Sequence, residues 1–312
     1  MTLERPPKLL LLDSASLYFR AFFGVPDQRK DSAEPPTNAV RGFLDMIASL
    51  VTTFQPTQLV ACWDNDWRPQ FRVDAIPTYK AHRLADGSLE EELVPDDLAP
   101  QVPVIRDALA ALGIARVGAD GYEADDVIGT LVHRHRGDMP VDVVTGDRDL
   151  FQLVDDAHDI RVVYTARGGV RDPDVVDQAF LTAKYAVPTG RAYADMAVLR
   201  GDASDGLPGV AGIGEKTAAK LIEHYGDLPT LLTALADGDP ALKGAQRTRL
   251  EAALSYLEVA PAVVRVAHDA PVVEHDGTLP TEVADTDLLG RLAEDYGLTN
   301  SFKRVLTALE II

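Results

Sequence analysis

Short, nearly unbroken apolar runs alternate with stretches whose apolar residues recur at helical spacing. Lys8–Asp13 reads as a buried strand ending in an aspartate. Leu17–Phe23 is apolar and aromatic, with Arg20 inside it, and residues 26–38 form a polar, proline-rich loop. From Thr37 to Phe54 the apolar positions Val40, Phe43, Leu44, Ile47, Leu50 and Val51 share one helical face. Leu59–Trp63 is a second strand, followed again by an aspartate, Asp64. Val102, Ile105, Leu109 and Leu112 predict a helix ending before Gly113, and Ile114–Val117 a short strand. A helix opened by Gly121-Tyr122 carries Val127, Ile128, Leu131 and Val132, and strands follow at Val141–Thr145 and Ile160–Thr165. Strands alternating with helices predict a parallel α/β sheet, in which ligands gather at the carboxyl ends of the strands. Asp13, Asp64 and Asp147 fall at those ends. After about residue 185 the pattern becomes helical, with helices at Tyr193–Leu199, Glu215–Tyr225, Leu228–Leu235, Gln246–Leu257 and Thr286–Tyr296. The expected division is an α/β core over residues 1–188 and a helical domain over 189–312.

Residues 65–100 fit neither pattern: an aromatic-basic stretch gives way to an acidic one over Leu84–Pro100. An irregular segment of this length is functional or mobile. Composition adds little, since 46% hydrophobic and 25% charged residues are ordinary for a soluble protein. No apolar run approaches a membrane span, and Leu9–Leu12 is too short for a signal-peptide core, so a cytoplasmic location without membrane contact is expected. The single cysteine, Cys62, excludes an internal disulfide and reads as a small core residue. The net charge of −19 weighs against a nucleic-acid partner, but it is an average. Basic residues concentrate at Arg68, Arg72, Lys80, Arg83, Lys216 and Lys220.

The acids change the picture. Nine of them occupy turns and strand ends in five places: Asp13, Asp64, Glu123-Ala-Asp125-Asp126, Asp147-Arg-Asp149 and Asp202-Ala-Ser-Asp205. Carboxylates a few ångströms apart disfavour one another's ionisation, so such a set calls for cations. Oxygen-only ligands point to two or more Mg²⁺ or Mn²⁺ ions and to phosphoryl or phosphodiester chemistry. Helix capping accounts for one or two of Glu123, Asp125 and Asp126, but less readily for all three. A second signal is Gly209-Val-Ala-Gly212-Ile-Gly214-Glu-Lys216-Thr217-Ala218. Glycines feeding a helix N-terminus expose backbone N–H groups to a phosphate, and Lys216 adds charge. Gly214-Glu-Lys-Thr breaks the pattern of a nucleotide-binding P-loop. The third signal is Phe71-Arg72 with Tyr79-Lys80-Ala-His-Arg83, an aromatic among cations that suits a phosphate and a stacked base. No histidine has metal-ligand spacing.

In this order the motifs resemble the 5′ nuclease, or flap endonuclease, family, and in particular its bacterial branch, which includes the 5′-3′ exonuclease domain of DNA polymerase I. The match runs from Leu-Leu-Asp13 and Trp63-Asp64 through Gly201-Asp202 and the Gly209–Ala218 hairpin. The resemblance implies a PIN-like parallel-sheet nuclease core, a helical arch segment over 79–100, and a helical domain whose helix-hairpin-helix element spans about 195–225. It implies that Asp13, Asp64, Glu123 and Asp125 surround one metal, and that Asp126, Asp147, Asp149, Asp202 and Asp205 build the second site and its surroundings. Lys80 would contact the scissile phosphate, assisted by Arg72 and Arg83, and Tyr79 would stack on a base. Arg20, Gly209, Gly212, Gly214, Lys216 and Thr217 would contact DNA, with a monovalent cation such as K⁺ at the hairpin. The implied partners are DNA with 5′ flaps, nicks, gaps or 5′ ends, with RNA–DNA primers among the candidates, bound by a monomer in the bacterial nucleoid.

One departure stands out: the expected arch is acidic at Glu90, Glu91, Glu92, Asp96 and Asp97, which weighs against strand contacts from it. Two other classes compete. A junction-binding protein without catalysis would not need so complete a set of acids. A phosphatase of the haloacid dehalogenase type wants Asp-x-Asp after the first strand, where this chain has Ala15.

Overall fold

A computed structural model describes residues 6–312. Six strands form one sheet: β1 (Leu9–Asp13), β2 (Gln58–Trp63), β3 (Ala115–Gly118), β4 (Val141–Thr145), β5 (Ile160–Gly168) and β6 (Asp172–Val176). Their spatial order is β3-β2-β1-β4-β5-β6. The first five are parallel, and β6 pairs antiparallel with β5 at the edge. Chain direction across the sheet therefore reverses between β1 and β4, which is where an open α/β sheet leaves a crevice.

The helices are α1 (Ser14–Gly24), α2 (Asn38–Phe54), α3 (Gln70–Ala75), α4 (Gln101–Leu112), α5 (Ala124–His135), α6 (Gln178–Tyr185), α7 (Gly190–Arg200), α8 (Glu215–Tyr225), α9 (Leu228–Asp237), α10 (Gly244–Ala252), α11 (Leu254–Val264), α12 (Thr286–Asp295) and α13 (Thr299–Ala308). Alternate strand residues feed two cores. Leu10, Leu12, Leu59 and Ala61 join Phe43, Ile47 and Leu109 on one face of the sheet. Leu9, Leu11, Val60 and Cys62 join Val127, Ile128 and Leu131 on the other. Every apolar residue expected on one face of α2 is buried, as is Cys62.

Past residue 188 the chain is helical, and its last helices pack back on the first core. Leu292, Leu298, Phe302 and Val305, from α12 to α13, pack with Leu10, Leu12 and Phe43. Before them, the backbone of Gly277 accepts from Leu59 N–H at 2.7 Å, and Leu279 N–H donates to Thr57 at 3.1 Å. The chain thus returns to the first core after its helical excursion. The expected single helix over Gln246–Leu257 is two, α10 and α11, broken at Ala253. The segment 79–100 is not a helical arch, because its only helical residues are the three of a 3₁₀ turn, Ala81–Arg83. Beyond that turn it folds back on itself through the bridge between Leu84 and Glu92 and a 2.7 Å bond from Leu93 N–H to the Arg83 carbonyl. Proline and glycine punctuation over Gly87–Pro100 leaves no run long enough to nucleate a helix.

Candidate active site

The carboxyl ends of β1, β2 and β4 open into a cleft of about 960 Å³. Asp13, at the end of β1, caps α1 by accepting the Ser16 N–H at 3.1 Å. Its other oxygen accepts from the Thr145 hydroxyl at 2.6 Å. Asp64, just past β2, accepts the Ala124 N–H at 2.9 Å and so fixes the start of α5. Asp13, Asp64, Glu123, Asp125 and Asp147 line the cleft together with Lys80 and Arg83. Gly146, which also lines it, leaves no room for a side chain: a Cβ there would stand 2.8 Å from Ser16 Oγ, the atom that accepts its N–H.

Crowding shows in the electrostatics. Burial pushes the Asp13 carboxyl up to about 7, with the charges of Asp64 and Asp147 adding to it and the Thr145 and Ser16 bonds opposing it. Asp125 is raised well above the usual carboxylate range by desolvation, then by Asp13 and Asp147. Asp149 is raised well above it by desolvation, then by Asp147, Asp205 and Asp202. Desolvation also raises Asp64 and Asp205. Asp202 is lowered: burial pushes it up, but bonds from Ser204 and Arg148 outweigh that. A group of acids that desolvate and repel one another is the electrostatic signature of a functional site.

The protein supplies part of the counter-charge. Lys80 Nζ pairs with Glu123 Oε1 and Arg83 with Asp205 at 2.8 Å. Arg148 pairs with Asp202 at 3.0 Å, and Arg200 lies 3.6 Å from it. Among the described residues no three acidic or histidine side chains stand close enough, as placed, to hold a metal ion. The donor set is nevertheless all oxygen and strained by its own charge, which fits hard divalent cations.

Four residues expected in the site lie elsewhere. Arg72 is buried, donating to Glu123 and to both oxygens of Asp126 at 2.7 Å and to the Val263 carbonyl at 3.0 Å. It does not line the cleft, and these bonds occupy its guanidinium. Asp126 is fully buried, and besides Arg72 it accepts the Ala267 N–H at 2.8 Å and the Glu123 N–H at 3.3 Å. With Glu123 it forms a reciprocal capping box on α5, so capping does explain two of the three clustered acids. Each Asp126 oxygen already accepts two hydrogen bonds, and the residue does not line the cleft. Tyr79 is also buried and its hydroxyl donates to Glu123 at 2.7 Å, so its ring is no base-stacking platform. Arg20 does not line the cleft; it donates to the Ala166 carbonyl at 3.2 Å.

The Asp202–Asp205 turn docks on the Lys80 loop. Lys80 N–H donates to the Asp205 carbonyl at 2.9 Å, and the Thr78 hydroxyl to the Gly206 carbonyl at 2.9 Å. Gly206 has φ of 71°, and a Cβ there would lie 2.2 Å from the Thr78 carbonyl oxygen, so this approach requires glycine. Further on, the hairpin joins α7 to α8. Gly209 packs on the Arg200 carbonyl, whereas Gly212, Gly214 and Lys216 are exposed and Thr217 half-exposed at the start of α8. The sequence reading missed Thr145, Arg148 and Arg200. The last two had a usable signal: each is an arginine beside or between the clustered aspartates.

The family description "5′-3′ exonuclease, N-terminal resolvase-like domain" matches residues 8–186, and its "C-terminal SAM fold" matches residues 188–287. The chain belongs to the 5′-3′ exonuclease family. A 5′-3′ exonuclease of Streptomyces coelicolor is 56% identical over 303 residues, covering 96% of this chain and 99% of that protein. One of Mycobacterium tuberculosis is 48% identical over 314 residues, covering 97% and 98%. The fold of this 5′-3′ exonuclease is that of a zinc-bound bacteriophage T5 5′-exonuclease, at a TM-score of 0.64 and 18% identity over 97% of this chain and 99% of that one. It is also that of the catalytic core of Rad2 in complex with a DNA substrate, at 0.60 and 18% over 98% and 93%. Among the described residues no helix of the exonuclease is long and apolar enough to cross a membrane.

Proposed function

We propose that this 5′-3′ exonuclease hydrolyses phosphodiester bonds of DNA at 5′ flaps, nicks, gaps and 5′ ends. Two or more Mg²⁺ or Mn²⁺ ions would be held by Asp13, Asp64, Glu123, Asp125 and Asp147, with Asp149, Asp202 and Asp205 beside them. The observation that carries this reading is the convergence of Asp13, Asp64, Glu123, Asp125 and Asp147 on one cleft at the reversal of the sheet. When bound, such ions polarise a phosphate and lower the pKa of an attacking water.

The chain's own residues do the rest. The cleft carboxylates orient the cation site and keep their charge in it. Lys80 sits on the cleft wall in a left-handed conformation, φ 48°, that the Asp205 turn holds in place. Its ammonium leaves Glu123 for a phosphate oxygen and offsets charge as the bond breaks. Arg83 is placed to assist from the same wall. The Gly209–Thr217 hairpin grips the backbone of a duplex through N–H groups and Lys216, with a monovalent cation such as K⁺ as a further aid. RNA–DNA primers fit the same backbone grip. Incubating the protein with Mg²⁺ and a labelled 5′-flap duplex tests the reading. Products carrying a 5′-phosphate are expected; no product at any protein concentration would leave a junction-binding protein instead.

A further inference from the structure

Arg200, the last residue of α7, has no part in the steps above. Its side chain is only 9% exposed, yet no single partner neutralises it. Nη1 donates to Glu215 Oε2 at 3.3 Å and Nε to the Gly201 carbonyl at 3.1 Å. Nη2 points at the clustered acids, 3.6 Å from Asp202 Oδ2 and 4.0 Å from Asp149 Oδ1. Those two separations are too long for hydrogen bonds, and Asp149 Oδ1 is buried without any. Arg148 closes the same network, 3.0 Å from Asp202 and 3.9 Å from Glu215. Two arginines are thus shared among three carboxylates. Two of these belong to the acidic cluster, and the third opens α8, the helix that carries Lys216.

We propose that Arg200 is a positioning residue that couples cation binding at Asp149 and Asp202 to the charge of Glu215 at the start of the hairpin helix. The inference rests on the reading that these aspartates help to hold a divalent cation. A cation arriving there repels the guanidinium and competes for the same oxygens. Arg200 is already bonded to Glu215 and gives that residue its full charge. An acid is then neutralised where a phosphate approaches the N-terminus of α8. Linkage makes the effect reciprocal: what holds Arg200 on Glu215 favours the cation, and what drives it onto the aspartates opposes the cation.

Mn²⁺ titration followed by electron paramagnetic resonance tests this without DNA and without turnover. Arg200→Met removes the competing charge and tightens Mn²⁺ binding, roughly fivefold for one unit charge near a partly screened site. Glu215→Gln, at a residue whose side chain is 40% exposed, returns Arg200 to the aspartates and weakens binding by a similar factor. Removing the Glu215 charge could also act directly, so the decisive comparison is the double variant. Coupling through Arg200 requires the Glu215→Gln effect to vanish in the Arg200→Met background. It should also shrink in Arg200→Lys, which keeps the charge but cannot span three carboxylates and stands in if the Met variant does not fold. The same Glu215→Gln effect in every background, or weaker Mn²⁺ binding in a folded Arg200→Met, overturns the proposal. No Mn²⁺ binding by the unaltered protein overturns the metal reading beneath it.

Discussion

The hydroxyl of Thr145 donates to Asp13 Oδ2 at 2.6 Å and accepts the Asp147 N–H at 2.8 Å, joining two strand ends across the reversal of the sheet. The register makes this contact local, because Leu12 pairs with Val144 and places the next residue of each strand side by side. One side chain thus sets both the position of Asp13 and the turn that carries Asp147.

Thr145→Val keeps the shape and removes the hydroxyl. The bond it deletes lowers the Asp13 pKa, so the carboxyl, already raised to about 7, rises further. Cation binding needs the ionised form, so at subsaturating Mg²⁺, where proton and cation compete for Asp13, the acid limb of the pH profile of kcat/KM moves to higher pH. The loss is larger at pH 6 than at pH 9, and Thr145→Ser restores the original profile. An unmoved acid limb would remove Asp13 as the group that titrates.

The same carboxyl sets how metal-free stability depends on pH. Its pKa is 3.8 in an unstructured chain and about 7 in the fold, so between those values the native state binds more protons than the unfolded one. Stability therefore falls as pH rises through that window and levels off above it. Asp125 and Asp149 are shifted in the same direction and deepen the fall. In chelator, the melting temperature should drop between pH 5 and pH 8, and Mg²⁺ should recover more of it at pH 8. A flat profile in chelator would contradict the crowding of these acids.

Arg72 makes a different prediction from the one its sequence neighbourhood suggests. Buried between Glu123, Asp126 and the Val263 carbonyl, it ties α3, α5 and the end of α11 together. Arg72→Met leaves the buried Asp126 without its cation and takes one of two cations from Glu123, a loss of about 3–5 kcal/mol. Denaturant unfolding should show that loss in metal-free protein with no DNA present. Stability within about 1 kcal/mol of the parent would return Arg72 to the list of phosphate contacts.

Most of the sheet and much of the site are legible in the sequence because both depend on local pattern. Leu9–Leu12 is unbroken leucine and Val141–Thr145 is β-branched but for Asp142, and the acids at or just past their ends meet at the crevice. β6 was not legible: Asp172-Pro-Asp-Val-Val is an edge strand, polar and proline-bearing, and it holds its place by pairing with β5. The roles of Arg72 and Asp126 were hidden for a related reason. A cation near acids in sequence reads the same whether it faces solvent or the core, and only the packing of α3 against α5 and α11 distinguishes them. Tyr79 illustrates the same limit, since an aromatic beside Lys80 suggests stacking until its hydroxyl is found bonded to Glu123.

Asp125→Asn separates the chemistry from the fold, because its two expected effects have opposite signs. Asparagine at this position takes one anion from the cleft, so cleavage of a 5′-flap duplex should be lost. Duplex binding should remain, since it draws on many backbone contacts outside the cleft. The metal-free protein should become more stable near pH 8. The parent carries there a carboxyl that desolvation, Asp13 and Asp147 all push toward protonation, and the amide has no such charge to accommodate. Melting curves in chelator and a flap-cleavage assay on the same preparation check both. Retained turnover would remove Asp125 from the metal site, and a lower melting temperature would show that repulsion among these acids is not what strains the cleft.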